Sequence, residues 1–210
     1  MSIQPSITAI PSTPGSIPVV SGAAVLRRFT VDEYHRMIET SILDENDKVE
    51  LLDGWIVQMP PVGPSHFACI QRIARVLSSL LPKTWHVRPQ GPLTLSASEP
   101  EPDVTIAKGD IRDWTDRHPG GSDVALVIEV ADTSLARDRN AKQQLYAGAG
   151  IAEYWIVNLA DRQLEIHREP QTTATGPEYR RREIIAASES VRLVIEEQEV
   201  GEIKVAELLP

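Results

Sequence analysis

The chain has 210 residues, 21 Lys and Arg against 30 Asp and Glu, and a net charge of -9. Its length suits one decorated domain with its own core, and the single Cys69 excludes an internal disulfide framework or a multi-thiolate zinc centre and fits a reducing compartment. No stretch has the apolar length of a membrane span and the start lacks the marks of a signal peptide, so a cytoplasmic protein with no membrane association is expected.

Residues 1–24 are rich in Pro, Ser, Thr and Ile, nearly uncharged and without periodicity, which reads as a flexible or partner-docked arm ahead of a domain over 25–210. Thr30 followed by Glu33 forms a capping box that starts a helix running to about Thr40. Val49 to Asp53 and Trp55 to Met59 read as a hairpin about Asp53-Gly54, with Glu50 on its first strand. Apolar residues at Ile70, Ile73, Ala74, Leu77 and Leu81 predict a helix from Ser65, opened by His66 and stopped by Pro82. Strands are expected around Trp85 to Arg88, Leu93 to Leu95 and Val104 to Ala107, then over Val124 to Val130, a β-branched run that reads as buried on both faces. A helix from about Asn140 to Ala147 ends at Gly148 and Gly150. A second hairpin (Ala152 to Asn158, Gln163 to Arg168) and strands near Tyr179 to Ile185 and Val191 to Ile195 complete the elements. Together they make an α/β fold, a central mixed sheet flanked by helices.

Ionisable residues stand where a core is expected. Glu129 interrupts the buried run, Asp103 follows Pro102 at the head of a half-buried strand, and Glu50 lies on the first hairpin. A buried carboxylate requires a partner, and several together point to a cation site. Read singly, Asp103 is a turn or cap residue, Glu129 is a ligand or one end of a structural ion pair, and Lys142 is a solvated helix residue paired with Asp138. His66 is a cap, a packed residue or a phosphate contact; Gln90, in Arg88-Pro89-Gln90-Gly91-Pro92, lines a cleft or closes a turn. Tyr146, Tyr154 and Trp155 read as packing. G-x-S-x-G, Walker, G-x-G-x-x-G and H-E-x-x-H motifs are absent from the sequence.

An acid after Pro at the head of one strand and a second acid inside the next resembles the PD-(D/E)xK nuclease superfamily. In most of its members a lysine follows the Glu by two positions; here that position is Ala131. The stretch Glu-Val-Ala-Asp-Thr-Ser from Glu129, with Asp138, Lys142, Tyr146, Gly150 and Glu153-Tyr154-Trp155-Ile156-Val157, is similar to the Uma-two family, a restriction-endonuclease-like branch whose lysine sits on the following helix. Phe29 to Tyr34, Glu50-Leu51-Leu52-Asp53-Gly54 and His66 add to the likeness. The resemblance implies a restriction-endonuclease-like core and a metal-dependent endonuclease hydrolysing phosphodiester bonds of DNA. It implies Mg²⁺ (or Mn²⁺) held by Asp103, Glu129, the Val130 carbonyl and Glu50, with Lys142 at the attacking water. His66, Gln90, Arg137 and Arg139 fall to the substrate, and a homodimer is expected. Basic residues at Arg137, Arg139 and Lys142, or at Arg180, Arg181 and Arg182, could gather on one face against the acidic balance. The alternative is a catalytically silent nucleic-acid-binding or assembly module that retains the nuclease fold. Removing Lys142 is expected to leave stability nearly unchanged, as for a cleft side chain that packs little.

Overall fold

The computed structural model describes residues 26–210, so the arm expected over 1–24 lies outside the described residues. The described residues open with α1 (Val31–Glu39), capped by Thr30 and Glu33 as the pattern required. The hairpin of β1 (Val49–Leu52) and β2 (Trp55–Gln58) pairs Glu50 with Val57. Its turn residues Asp53 and Gly54 have φ of 48° and 78°. A Cβ on Gly54 would lie 2.6 Å from Arg28 Cβ, so both the backbone and the neighbour demand glycine there.

After α2 (Pro64–Leu80) comes a six-stranded sheet of β3 (Trp85–Pro89), β4 (Val104–Lys108), β5 (Val124–Ala131), β6 (Glu153–Asn158), β7 (Gln163–Thr173) and β8 (Gly176–Ala186), arranged in chain order. Every pairing is antiparallel except β5 with β6. That parallel pair requires a crossover, made by a helical segment of three consecutive pieces: α3 (Leu135–Arg137), a π turn (Asp138–Lys142) and α4 (Gln143–Gly148). One face of the sheet packs Ile128, Val130 and Trp155 against Cys69, Ile70, Ile73 and Leu77 of α2, together with the hairpin of β9 (Ser190–Ile195) and β10 (Gln198–Lys204) and the short α5 (Val205–Leu208). The other face sets Val127, Ala131 and Ile156 against Tyr146 and Ala147. Glu129 alternates with Val130 and so points toward the helical crossover.

Two expectations about the elements fail, and one hairpin was not foreseen. Leu93 and Leu95 are buried but form no strand, because their amides bond to Pro100 and Ser98 carbonyls across their own loop. The helix after Glu129 begins at Leu135, five residues before the expected Asn140. The β9–β10 turn is Glu196-Glu197, both at positive φ (47° and 66°), so the hairpin lacks the Asn or Gly signal by which such turns are read. The buried Cys69 donates its Sγ–H to the Leu208 carbonyl, as a small core residue would. Among the described residues, no helix is long and apolar enough to cross a membrane.

Candidate active site

Five elements bring ionisable side chains to one end of the sheet: β1 carries Glu50, the entry to β4 carries Asp103, and β5 carries Glu129. The crossover supplies Asp138, Lys142 and Tyr146, and the first turn of α2 supplies His66. Lys142 is buried, its Nζ donating to Glu50 Oε2 at 2.6 Å and lying 3.5 Å from Glu129 Oε1. Glu129 Oε1 also accepts the Tyr146 hydroxyl at 2.6 Å, and Glu50 Oε2 accepts the Glu101 amide at 3.3 Å. Asp103 spans two elements. Its Oδ1 lies 2.8 Å from His66 Nε2, and its Oδ2 accepts the Val130 amide at 2.7 Å.

The cluster is acidic and dry, and its proton affinities follow from that. Burial lifts the Glu129 carboxyl to about 8; Lys142 opposes the rise, and Asp103 and Asp138 add to it. Burial likewise lifts Asp138 to about 6, against the Ser134 hydroxyl that donates to it at 2.5 Å. Glu101 is raised by burial and then by Glu50. Burial pushes Lys142 down, but Glu129 and Glu50 outweigh it, so the ammonium stays protonated above its ordinary range. Burial also pushes His66 down, and Asp103 more than restores it.

Lys142 thus joins Glu50 to Glu129, while Asp103 is held beside them by His66 and the Val130 amide. Gln90 closes a turn at φ 48°, its backbone N–H donating to the Asp103 carbonyl at 2.9 Å. Arg137 Nε is buried without an acceptor, 4.0 Å from Asp138 Oδ1. Arg139 is turned to Glu165 on β7, donating through Nε at 3.0 Å and Nη2 at 2.5 Å. Lys142 does not pair with Asp138, since the π turn separates the α-helical register that would align them. Asp138, Glu101 and the Tyr146 hydroxyl were not foreseen. Glu101 stands two residues before Asp103, a spacing that could have marked it, whereas the π turn hides the place of Asp138 from any α-helical spacing.

Among the described residues, no three His, Cys, Asp or Glu side chains converge as a formed metal site. The donor set nevertheless fits a hard divalent ion: it is rich in carboxylate oxygen, and Glu129 Oε2 makes no hydrogen bond among the described residues. In the structure the Lys142 ammonium is the cation between Glu50 and Glu129.

The family model Uma2, described as "Putative restriction endonuclease", matches residues 31–203. A solved structure titled as that of "a putative nuclease belonging to DUF820 from Anabaena variabilis ATCC 29413" shares the fold, with a TM-score of 0.65, 15% identity, and coverage of 86% of this chain and 97% of that one. No curated protein matches.

Proposed function

The chain belongs to the Uma2 family of restriction-endonuclease-like nucleases, and from that premise we propose that residues 25–210 form a metal-dependent endonuclease domain hydrolysing phosphodiester bonds of DNA. The observation that carries this reading is the buried Lys142 ammonium between Glu50 and Glu129, since an amine this dry is positioned for chemistry rather than solubility. Asp103, Glu129 and the Val130 carbonyl, with Glu50, would hold Mg²⁺ (or Mn²⁺). Such an ion supplies charge neutralisation at the phosphate and a lowered pKa for its water. Lys142 orients the attacking water and donates to the negative charge that grows as the phosphorus–oxygen bond breaks. His66, held by Asp103, offers a proton to phosphate or leaving oxygen, and Arg137, Arg139 and Gln90 receive the flanking strand. A homodimer in the cytoplasm completes the reading, and the lone buried Cys69 is compatible with that compartment.

The test is cleavage of supercoiled and single-stranded DNA with Mg²⁺ or Mn²⁺ beside an Asp103→Ala control. Metal-dependent cleavage lost in the variant supports the enzyme, and equal nicking by both chains overturns it. One observation favours a silent binding module: Lys142 already satisfies Glu50 and Glu129 without an ion. Calorimetry with Mn²⁺ separates the two, because a silent module would bind no ion at Asp103 and Glu129.

A further inference from the structure

Glu129 pairs in register with Ile156, and Ile156 with Glu165, so the two glutamates lie on one cross-sheet row and face the same helical crossover. At the ordinary strand spacing they stand about 10 Å apart. The crossover serves both: Lys142 reaches Glu129, and Arg139, three residues earlier, reaches Glu165.

Glu165 is fully buried, and four donors saturate it. Arg139 grips both its oxygens, Arg182 on β8 donates to Oε2 at 2.8 Å, and Asn158 donates to Oε1 at 3.2 Å. The carboxylate therefore has no capacity left for a metal. It orients two guanidiniums whose outer edges stay open: Arg139 is 35% and Arg182 45% exposed, and Nη1 of Arg139 with Nε and Nη1 of Arg182 donate to nothing among the described residues. Glu165 holds the two guanidiniums in a fixed fork, with Asp161 set back on Asn158, and their open edges suit phosphate oxygens.

We propose that Arg139 and Arg182, aligned by Glu165, form a phosphate subsite that holds the DNA backbone beside, rather than at, the scissile bond. The inference rests on the nuclease reading above and gives that reading's substrate a second contact, at the exposed guanidinium edges on β8 and the crossover.

The test is fluorescence anisotropy of a labelled duplex on the full chain in EDTA, which removes cleavage, over a range of salt. Arg182→Gln is expected to weaken binding about tenfold at low salt and to lower the slope of log affinity against log salt by about one. Arg168→Gln is the control. Arg168 binds Glu153 and Glu183 on the opposite face, so it removes the same charge without the subsite. On the unmutated chain, duplex should protect Arg182 and Arg139 from phenylglyoxal while Arg168 still reacts, a measurement that needs no variant to fold. An Arg182→Gln slope equal to the parent's, or unprotected Arg182, overturns the subsite alone. A parent chain that binds neither duplex nor single strand overturns both the subsite and the nuclease reading.

Discussion

Glu129 and Glu165 are buried glutamates on one row of one sheet, yet their carboxyls sit at opposite ends of the acidity scale. Burial raises both. At Glu129 the nearby Asp103 and Asp138 reinforce the rise and Lys142 only partly opposes it, leaving a carboxyl near 8. At Glu165 the hydrogen bonds from Arg139, Asn158 and Arg182 overcome burial and bring it to about 2. The acid surrounded by acids is the one that a dication would relieve; the acid surrounded by guanidiniums is complete and serves to aim them. Burial alone therefore does not fix a carboxyl's acidity; the charges around it do.

The comparison breaks most easily at Lys142. Lys142→Ala should slow cleavage about a thousandfold, near 4 kcal/mol, because it removes a preorganised donor from a dry site. Single-turnover cleavage well below the melting temperature is the measurement, and parental rates would remove Lys142 from the chemistry. The same variant should also lose stability, contrary to the expectation from sequence. Lys142 is buried between two carboxylates, and breaking such a pair costs about 3–5 kcal/mol, less whatever proton uptake by Glu129 recovers.

The clasp side makes a comparable prediction in acid. His167 on β7 is buried against Tyr154 and Tyr179; burial first and then Arg182 hold its imidazole down to about 4. A histidine whose folded pKa lies below its unfolded value is neutral in the fold. Its contribution is therefore present above about 6.5 and lost as pH falls through about 4, a change of about 3 kcal/mol. Glu165 adds a separate loss lower down, between its unfolded value and about 2. His167→Phe should flatten urea stability between pH 6.5 and 4 while leaving the lower limb in place. An unchanged slope in that window would show that His167 already charges in the fold.

How much of this was legible in the sequence differs between the two sites. Asp103 after Pro102 and Glu129 inside Val124 to Val130 violate local hydrophobic pattern, and such violations can be seen without a structure. Lys142 needed the family likeness, because Ala131 empties the usual position and nothing local marks a lysine on a helix. Glu165 was invisible, and Arg182 showed only as one of three consecutive arginines. Glu165 alternates in β7 as any exposed strand acid would, and only the register Glu129, Ile156, Glu165 reveals where it lands. Tyr146 was read correctly as core packing, but spacing says nothing of where its hydroxyl points. The β9–β10 turn was missed because Glu196-Glu197 adopts positive φ without the residues that usually signal it.

Metal binding sharpens the contrast at somewhat lower energy. Mn²⁺ at a hundredfold excess over its dissociation constant should stabilise the chain by about 2.7 kcal/mol, read as a rise in thermal midpoint. Glu129→Gln or Asp103→Asn should abolish the rise, whereas Glu165→Gln should lower the baseline and retain it. A rise that survives Glu129→Gln would place the ion elsewhere.

The smallest effect concerns Tyr146, whose hydroxyl donates to Glu129 Oε1 at 2.6 Å. That bond fixes the carboxylate's rotation and occupies one of its oxygens, leaving Oε2 for an ion. Tyr146→Phe keeps the ring against Tyr154, where the centroids are 5.1 Å apart, so packing should survive. What is lost is orientation, and removing an outer partner of a ligand typically costs about tenfold or more in metal affinity, near 1.4 kcal/mol for each factor of ten. Tyr179→Phe is the matched control. Its hydroxyl donates to the Ile151 carbonyl at 2.8 Å in the same aromatic group, so it should give a similar loss of stability with Mn²⁺ affinity unchanged. If calorimetry finds Mn²⁺ bound equally by Tyr146→Phe and the parent, the hydroxyl does not orient the ligand, and Tyr146 returns to the packing role its helical spacing first assigned.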